Sequence, residues 1–129
     1  MPDPGVRPSL VTFSDGDLHM DFTERMVIFD HRPASLRNRV ILNKHESGVL
    51  AALVEHRGET LSAEQLGEMV WGETDEEAAK LVVKLVARLQ RALGQMALSK
   101  CPIETVPEIG FRYQSLTRRA RVQKPPARP

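Results

Sequence analysis

Leu61-Ser-Ala-Glu-Gln-Leu-Gly-Glu-Met-Val-Trp-Gly72 runs through the acidic segment Glu73-Thr-Asp-Glu-Glu77 into Lys80-Leu-Val-Val-Lys-Leu-Val-Ala-Arg-Leu-Gln-Arg-Ala-Leu93. Both flanking stretches carry a helical period, and the second is divided by charge. Leu81, Val82, Leu85, Val86, Leu89 and Leu93 recur at i, i+3/i+4 spacing and predict one apolar wall. At roughly 100° per residue, Lys80, Lys84, Ala87 and Arg91 fall almost opposite that wall, with Val83 and Arg88 beside them. Every charge on the outer face from Lys80 to Arg91 is positive. Such a face suits a DNA major groove, where Lys and Arg meet phosphates and guanine edges and Val or Ala meets thymine methyls. It equally fits a solvated basic face on an ordinary packed helix.

Capping signals extend the pattern in both directions. Asn43-x-x-Glu46, Ser62-x-x-Gln65 and Thr74-x-x-Glu77 each read as a capping box, in which the cap side chain and the third helical residue satisfy each other's free amides. Gly58, Gly72 and Gly94 stand where the three helices should stop. The first helix, to about His56, would bury Val49, Leu50, Leu53 and Val54; the second would bury Leu66, Met69 and Val70. Upstream, Leu10–Phe13, Leu18–Phe22, Met26–Phe29 and Val40–Leu42 are short β-rich runs between turn formers, predicting a small antiparallel sheet. Downstream, Ile103–Val106 and Gly110–Tyr113 flank Pro107 and predict a hairpin. Trp71, the single tryptophan, is expected to pack between helices and sheet.

This ordered set resembles the winged-helix DNA-binding domain of OmpR/PhoB-type response regulators. In that family a helix reading "L-S-x-x-Q-L … V-W-G" precedes a recognition helix ending "R-L-R-x-x-L", and a hairpin near "I-x-T-V-R-G-x-G-Y-R" follows. The resemblance covers residues 10 to 114 and includes Gly16-Asp-Leu18, Asp21, Arg25-Met-Val27 and Leu42-Asn-Lys-His-Glu46. It implies an α+β winged helix-turn-helix with an N-terminal antiparallel sheet, a three-helix core and a C-terminal β-hairpin wing. It also implies that the 75–93 helix enters the major groove. Lys80, Val83, Lys84, Ala87, Arg88, Arg91, Arg112, Arg118 and Arg119 are then the expected DNA-binding residues. In the family the loop before the recognition helix contacts RNA polymerase, which would give Glu73, Asp75, Glu76 and Glu77 a role beyond favouring the helix dipole.

Departures cluster where DNA would be touched. Relatives usually read close to "R-x-V-D-V-H-I-R-R-L-R" across the recognition helix. Leu85, Ala87 and Gln90 stand at positions often occupied there by histidine or arginine, and Lys84 stands where relatives carry valine. The wing has Pro107-Glu108 in place of "R-G", so the family's wing arginine is missing and Glu108 would repel phosphate.

The chain has 129 residues and a formal net charge of +1. This length allows one domain with one core. Expected boundaries are a flexible N-terminus at 1–9, the winged-helix domain at 10–116, and a basic, Pro-rich, disordered tail at 117–129. Read as a complete polypeptide, it has no room for a receiver, which needs on the order of 100 residues. Charge is uneven: Arg112 to Pro129 holds six basic residues and no acid, whereas the preceding 111 residues hold twelve basic and seventeen acidic ones. The tail could track a phosphate backbone or enter a minor groove, or it could be a solubilising extension. Cys101, the single cysteine, forbids an internal disulfide and is expected to be a small packing residue in a reducing cytosol.

Catalytic chemistry is not indicated. His19, His31, His45 and His56 are scattered, and the last two lie about 16 Å apart along one helix, too far to share a metal ion. There is no HExxH, CxxC, glycine-rich phosphate loop or G-x-S-x-G elbow. No apolar run approaches the roughly 20 residues of a membrane span. The expectation is a cytoplasmic, nucleoid-associated transcription regulator without enzyme activity, cofactor, metal or membrane contact. Its expected partners are double-stranded DNA, RNA polymerase and a second copy on DNA. The competing reading is a divergent winged helix that binds RNA polymerase or another regulator through Val83, Leu85, Ala87 and the acidic 73–77 segment.

Overall fold

A computed structural model describes residues 11–29, 39–94, 101–115 and 121–123. Alternation builds the leading sheet. Strands β1 (Thr12–Asp15), β2 (Leu18–Asp21), β3 (Met26–Phe29) and β4 (Arg39–Ile41) pair antiparallel in succession. Phe13, Asp15, Leu18, Met20 and Val27 point inward and are buried, as period-2 geometry requires of one face. The turn between β2 and β3 is held by Asp21, whose Oδ1 accepts from the amides of Thr23 and Glu24 at 3.0 Å each.

Two of the three capping boxes form as the spacing predicts. Helix α1 (Lys44–Glu55) opens at Asn43, whose Oδ1 accepts from Glu46 N at 2.8 Å while Glu46 Oε1 accepts from Asn43 N at 2.9 Å. Strand β5 (Thr60–Leu61) follows, too short to leave an alternation signal. Helix α2 (Ala63–Trp71) opens at Ser62, paired reciprocally with Gln65, and ends at Gly72 in the left-handed region. Helix α3 (Glu76–Gly94) is the exception. Its cap is Asp75, not Thr74: Asp75 Oδ1 accepts from Ala78 N at 2.8 Å. The turn that carries this cap is tightly packed against α2. Gly67 of α2 faces the turn so closely that a Cβ there would stand 2.9 Å from the Glu73 carbonyl oxygen and 3.3 Å from Ala78 Cβ.

Strands β6 (Ile103–Val106) and β7 (Gly110–Tyr113) form the expected hairpin, and β5 pairs with the outer side of β7. Gly110 lies against β5; a Cβ on it would overlap the Leu61 carbonyl. Residues 121–123 form β8, which pairs antiparallel with β1 and gives the larger sheet the order β4-β3-β2-β1-β8. This strand falls within residues 117–129, the stretch expected as a tail. Residues 1–9 and His31 lie outside the described residues.

The core sits between sheet and helices, with α1 at its centre: Val49 through Val54 are all buried. Ala78, Val82, Leu85, Val86, Leu89 and Leu93 bring α3 down onto it. Two expected core residues do not belong. Leu81 is 39% exposed and Met69 is 37% exposed; Leu81 lies about a quarter-turn from the centre of the buried stripe at roughly 100° per residue. Trp71 is half-buried against the core, and its Nε1 donates to His45 Nδ1 at 2.9 Å.

One buried polar contact joins the two sheets. Tyr113 is fully buried and its hydroxyl donates to Asp15 Oδ2 at 3.0 Å, beneath an edge-on contact with Phe13. Burial, then the neighbouring Asp15 charge, pushes the Tyr113 phenol well above its ordinary value of 10.

Two outcomes follow for stability. Gly67→Ala should lower it by about 1–3 kcal/mol, because a backbone oxygen and a helix start must shift to admit one methyl; thermal melts measure this. The neutral Tyr113 phenol is favoured in the folded state, so its contribution is complete below the unfolded value near 10 and is lost as pH rises above it. Tyr113→Phe should remove the alkaline component of unfolding while lowering stability at neutral pH by about 1–3 kcal/mol, because a buried carboxylate loses a donor.

Candidate nucleic-acid interface

Helix α3 is buried along one stripe and open along the other. Lys80, Val83, Lys84, Ala87, Arg88 and Arg91 are all exposed, so the structure brings the six expected helix residues onto one face. Val83 is 50% exposed, which leaves an apolar side chain between cations in solvent. Among the described residues, none of Lys80, Lys84, Arg88 and Arg91 takes part in an ion pair. Glu76 and Glu77 lie in the first turn and Arg91 in the last, so the helix ends carry charges that its dipole favours.

Leu85 does not join this face. It is 3% exposed and packs in the core, so it is removed from any outer contact surface, for protein or DNA. Gln90 also turns away from solvent chemistry. Its Nε2 donates to the Ile103 carbonyl at 3.2 Å and to Thr105 Oγ1 at 3.0 Å, joining α3 to the first wing strand. Nothing in the local pattern distinguishes this role from that of any half-exposed polar residue.

The wing is built differently from the helix face. Glu104 and Arg112 are direct cross-strand partners, and Arg112 Nη2 lies 3.4 Å from Glu104 Oε2. Arg112 therefore offers a neutralised rather than a free cation. At the tip, Ile109 N donates to the Val106 carbonyl at 3.1 Å, and Glu108 adopts φ +65°, a left-handed conformation that costs a residue with a Cβ about 1–2 kcal/mol. Pro107, Glu108 and Ile109 are exposed, and the tip carries an acid. Cys101 packs half-buried beside α3, with its Sγ 3.8 Å from the Gln90 carbonyl oxygen, and burial pushes its thiol up. This fits a packing residue rather than a reactive thiol.

The acidic segment before α3 is exposed at Glu73, Asp75, Glu76 and Glu77, although Asp75 is committed to its cap. Arg118 and Arg119 lie outside the described residues. Among the described residues no group of His, Cys, Asp and Glu side chains is placed to hold a metal ion, and no helix is long and apolar enough to cross a membrane.

A family model described as "Transcriptional regulatory protein, C terminal" matches residues 37–113, the span from just before β4 to the end of the wing. The chain belongs to this family. It is an OmpR/PhoB-type winged-helix domain, a DNA-binding transcription-regulator class and not an enzyme class. Comparison with curated proteins returns no significant match. Among solved structures, the DNA-binding domain of Escherichia coli CadC superposes with a TM-score of 0.67 at 18% identity, covering 87% of this chain and 96% of that one. The Klebsiella pneumoniae RstA DNA-binding domain, solved in complex with the RstA box, gives 0.63 at 24% identity over 80% of this chain and 96% of that one. The DNA-binding domain of Escherichia coli CpxR gives 0.64 at 20% identity over 82% and 98%. These likenesses establish the shared fold.

The strained wing turn generates a test. Glu108→Gly should raise stability by about 1 kcal/mol in thermal melts, because glycine adopts the left-handed conformation freely. It also removes the one acid at the wing tip, so affinity for duplex DNA at low salt should rise in the same variant.

Proposed function

We propose that this domain regulates transcription by laying α3 (Glu76–Gly94) in the DNA major groove. One observation carries the reading: the open face of α3 presents four cations, with Val83 and Ala87 exposed among them. In this arrangement Lys80 and Arg91 reach phosphates from the two ends of the face. Lys84 and Arg88 lie nearer its middle, where an Arg or Lys can meet the O6 and N7 acceptors of guanine. Val83 and Ala87 offer methyl groups to thymine methyls. The Arg112–Glu104 pairing makes the wing a minor contributor, and Arg118 and Arg119 are assigned to the phosphate backbone on charge alone.

Double-stranded DNA is the partner this face fits, and the working compartment is the cytoplasm, at the nucleoid. Exposed Glu73, Glu76 and Glu77 suit a contact with a basic patch on RNA polymerase, because only Asp75 of the segment is consumed by the helix cap. A purely protein-binding role for α3 is less well supported. With Leu85 buried, the apolar surface left to it is Val83, Ala87 and the rim residue Leu81, interrupted by cations that a protein interface core generally excludes.

Fluorescence anisotropy with duplex DNA tests the reading. Lys84→Ala and Arg88→Ala should each weaken binding while leaving the melting temperature nearly unchanged, since both side chains are exposed. A base-edge contact should cost about 1–3 kcal/mol on the preferred sequence only, and a phosphate contact should weaken all sequences alike and flatten the log K–log salt slope by about 0.9. If both variants bind as the parent does, α3 is not the DNA-reading helix.

A further inference from the structure

The outer face of the larger sheet is not used by the DNA reading. An antiparallel sheet with one solvated face normally shows polar residues there. Here Met26 and Ile28 of β3 and Ile41 of β4 point outward as one apolar patch. Met26 and Ile41 are direct cross-strand partners, and Ile41 is 67% exposed. Beside them runs a groove of about 310 Å³ whose walls include Ser14, His19, Asp21, Met26 and Ile28. The groove is lined by strand residues alone.

The pairing register sets charges around this patch. One row across the sheet reads Asp21, Met26, Ile41; the next reads His19, Ile28, Arg39. Asp21 and Arg39 thus stand at diagonally opposite corners of the apolar patch. Such an arrangement is self-complementary. A twofold axis lying between two such faces, perpendicular to the Asp21–Arg39 diagonal, carries each acid onto the other copy's base and each Ile41 toward its counterpart. That is the defining property of an isologous contact. A partner surface of uniform charge would gain at one corner and lose at the other.

We propose that this face is a self-association surface, on which two copies of the chain meet across Met26, Ile28 and Ile41 with Asp21 of each against Arg39 of the other. The patch is small, so the contact belongs with weak interfaces of under about 1,200 Å². It would gain most when two copies are already held near each other on one DNA molecule. The proposal does not depend on the assignment of α3, and its test contains no DNA.

Sedimentation equilibrium of the full chain, from about 10 µM to about 1 mM, should show a monomer–dimer equilibrium. Asp21→Arg and Arg39→Asp should each reduce the association constant by about tenfold or more, because each creates two like-charge contacts per dimer. An equimolar mixture of the two variants should recover association, since every corner is then again opposite in sign. Ile41→Asp should abolish it. Circular dichroism monitors the fold of each variant, because Asp21 also holds the turn at Thr23 and Glu24. Should Asp21→Arg fail to fold, Arg39→Asp and Ile41→Asp decide the matter, and both must weaken association. A wild-type chain that stays monomeric throughout, or a mixture that associates no better than either folded variant alone, overturns the proposal.

Discussion

The hydrogen bond from the Tyr113 hydroxyl to Asp15 joins residues 98 positions apart, and much of the architecture depends on the burial it requires. A phenol and a carboxylate can be taken out of water together only if each satisfies the other. Phe13 meets the Tyr113 ring edge-on at 5.6 Å, and Arg57, just past the end of α1, lies over the opposite ring partner with its guanidinium 5.3 Å from the Phe13 centroid. The Arg57 Nη1 also donates to the Val54 carbonyl at 3.0 Å, as the Arg57 amide does at 3.2 Å, so the same residue ties down the end of α1. One cluster thus fastens the leading sheet, the end of α1 and the last wing strand. With those ends held, α1 can be buried almost all round, and α2 and α3 have a fixed surface to pack on.

Against that surface, α3 has two jobs that do not compete. Its buried stripe contributes to stability, and its exposed face carries charge that contributes almost nothing to it. This separation matters because the body of the protein is acidic overall, with twelve basic and seventeen acidic residues before Arg112. Net charge is a poor guide to what a DNA phosphate would meet. At physiological salt the Debye length is about 8 Å, so a ligand on α3 senses the local cations rather than the distant acids. The acids on α3 itself, Glu76 and Glu77, lie in its first turn, where the helix dipole favours them.

The wing shows the opposite economy of charge. Its cation Arg112 is paired across the hairpin with Glu104, its tip is acidic, and Gln90 anchors its first strand to α3. Such a wing is fastened to α3 through Gln90.

What the sequence determined by itself is whatever depends on near neighbours along the chain. The Asn43 and Ser62 boxes, the Gly72 stop, the hairpin around Pro107 and the cationic face of α3 all involve residues within about one or two helical turns or one tight turn, and each was legible as spacing. The ordered motifs made the family legible too. Tertiary structure decided the rest, because the relevant partners are remote. The α3 cap fell on Asp75 rather than Thr74, in a turn packed against Gly67 of α2. The width of the buried contact, not its direction, left Leu81 of α3 and Met69 of α2 at the surface. Arg112 met Glu104, and Gln90 met Ile103 and Thr105, through strand register that no local pattern encodes. Strand β8 takes its place through pairing with the remote strand β1. A periodic pattern tells which side of an element is buried; only the packed neighbours tell how far that burial extends and which polar group each remaining side chain will find.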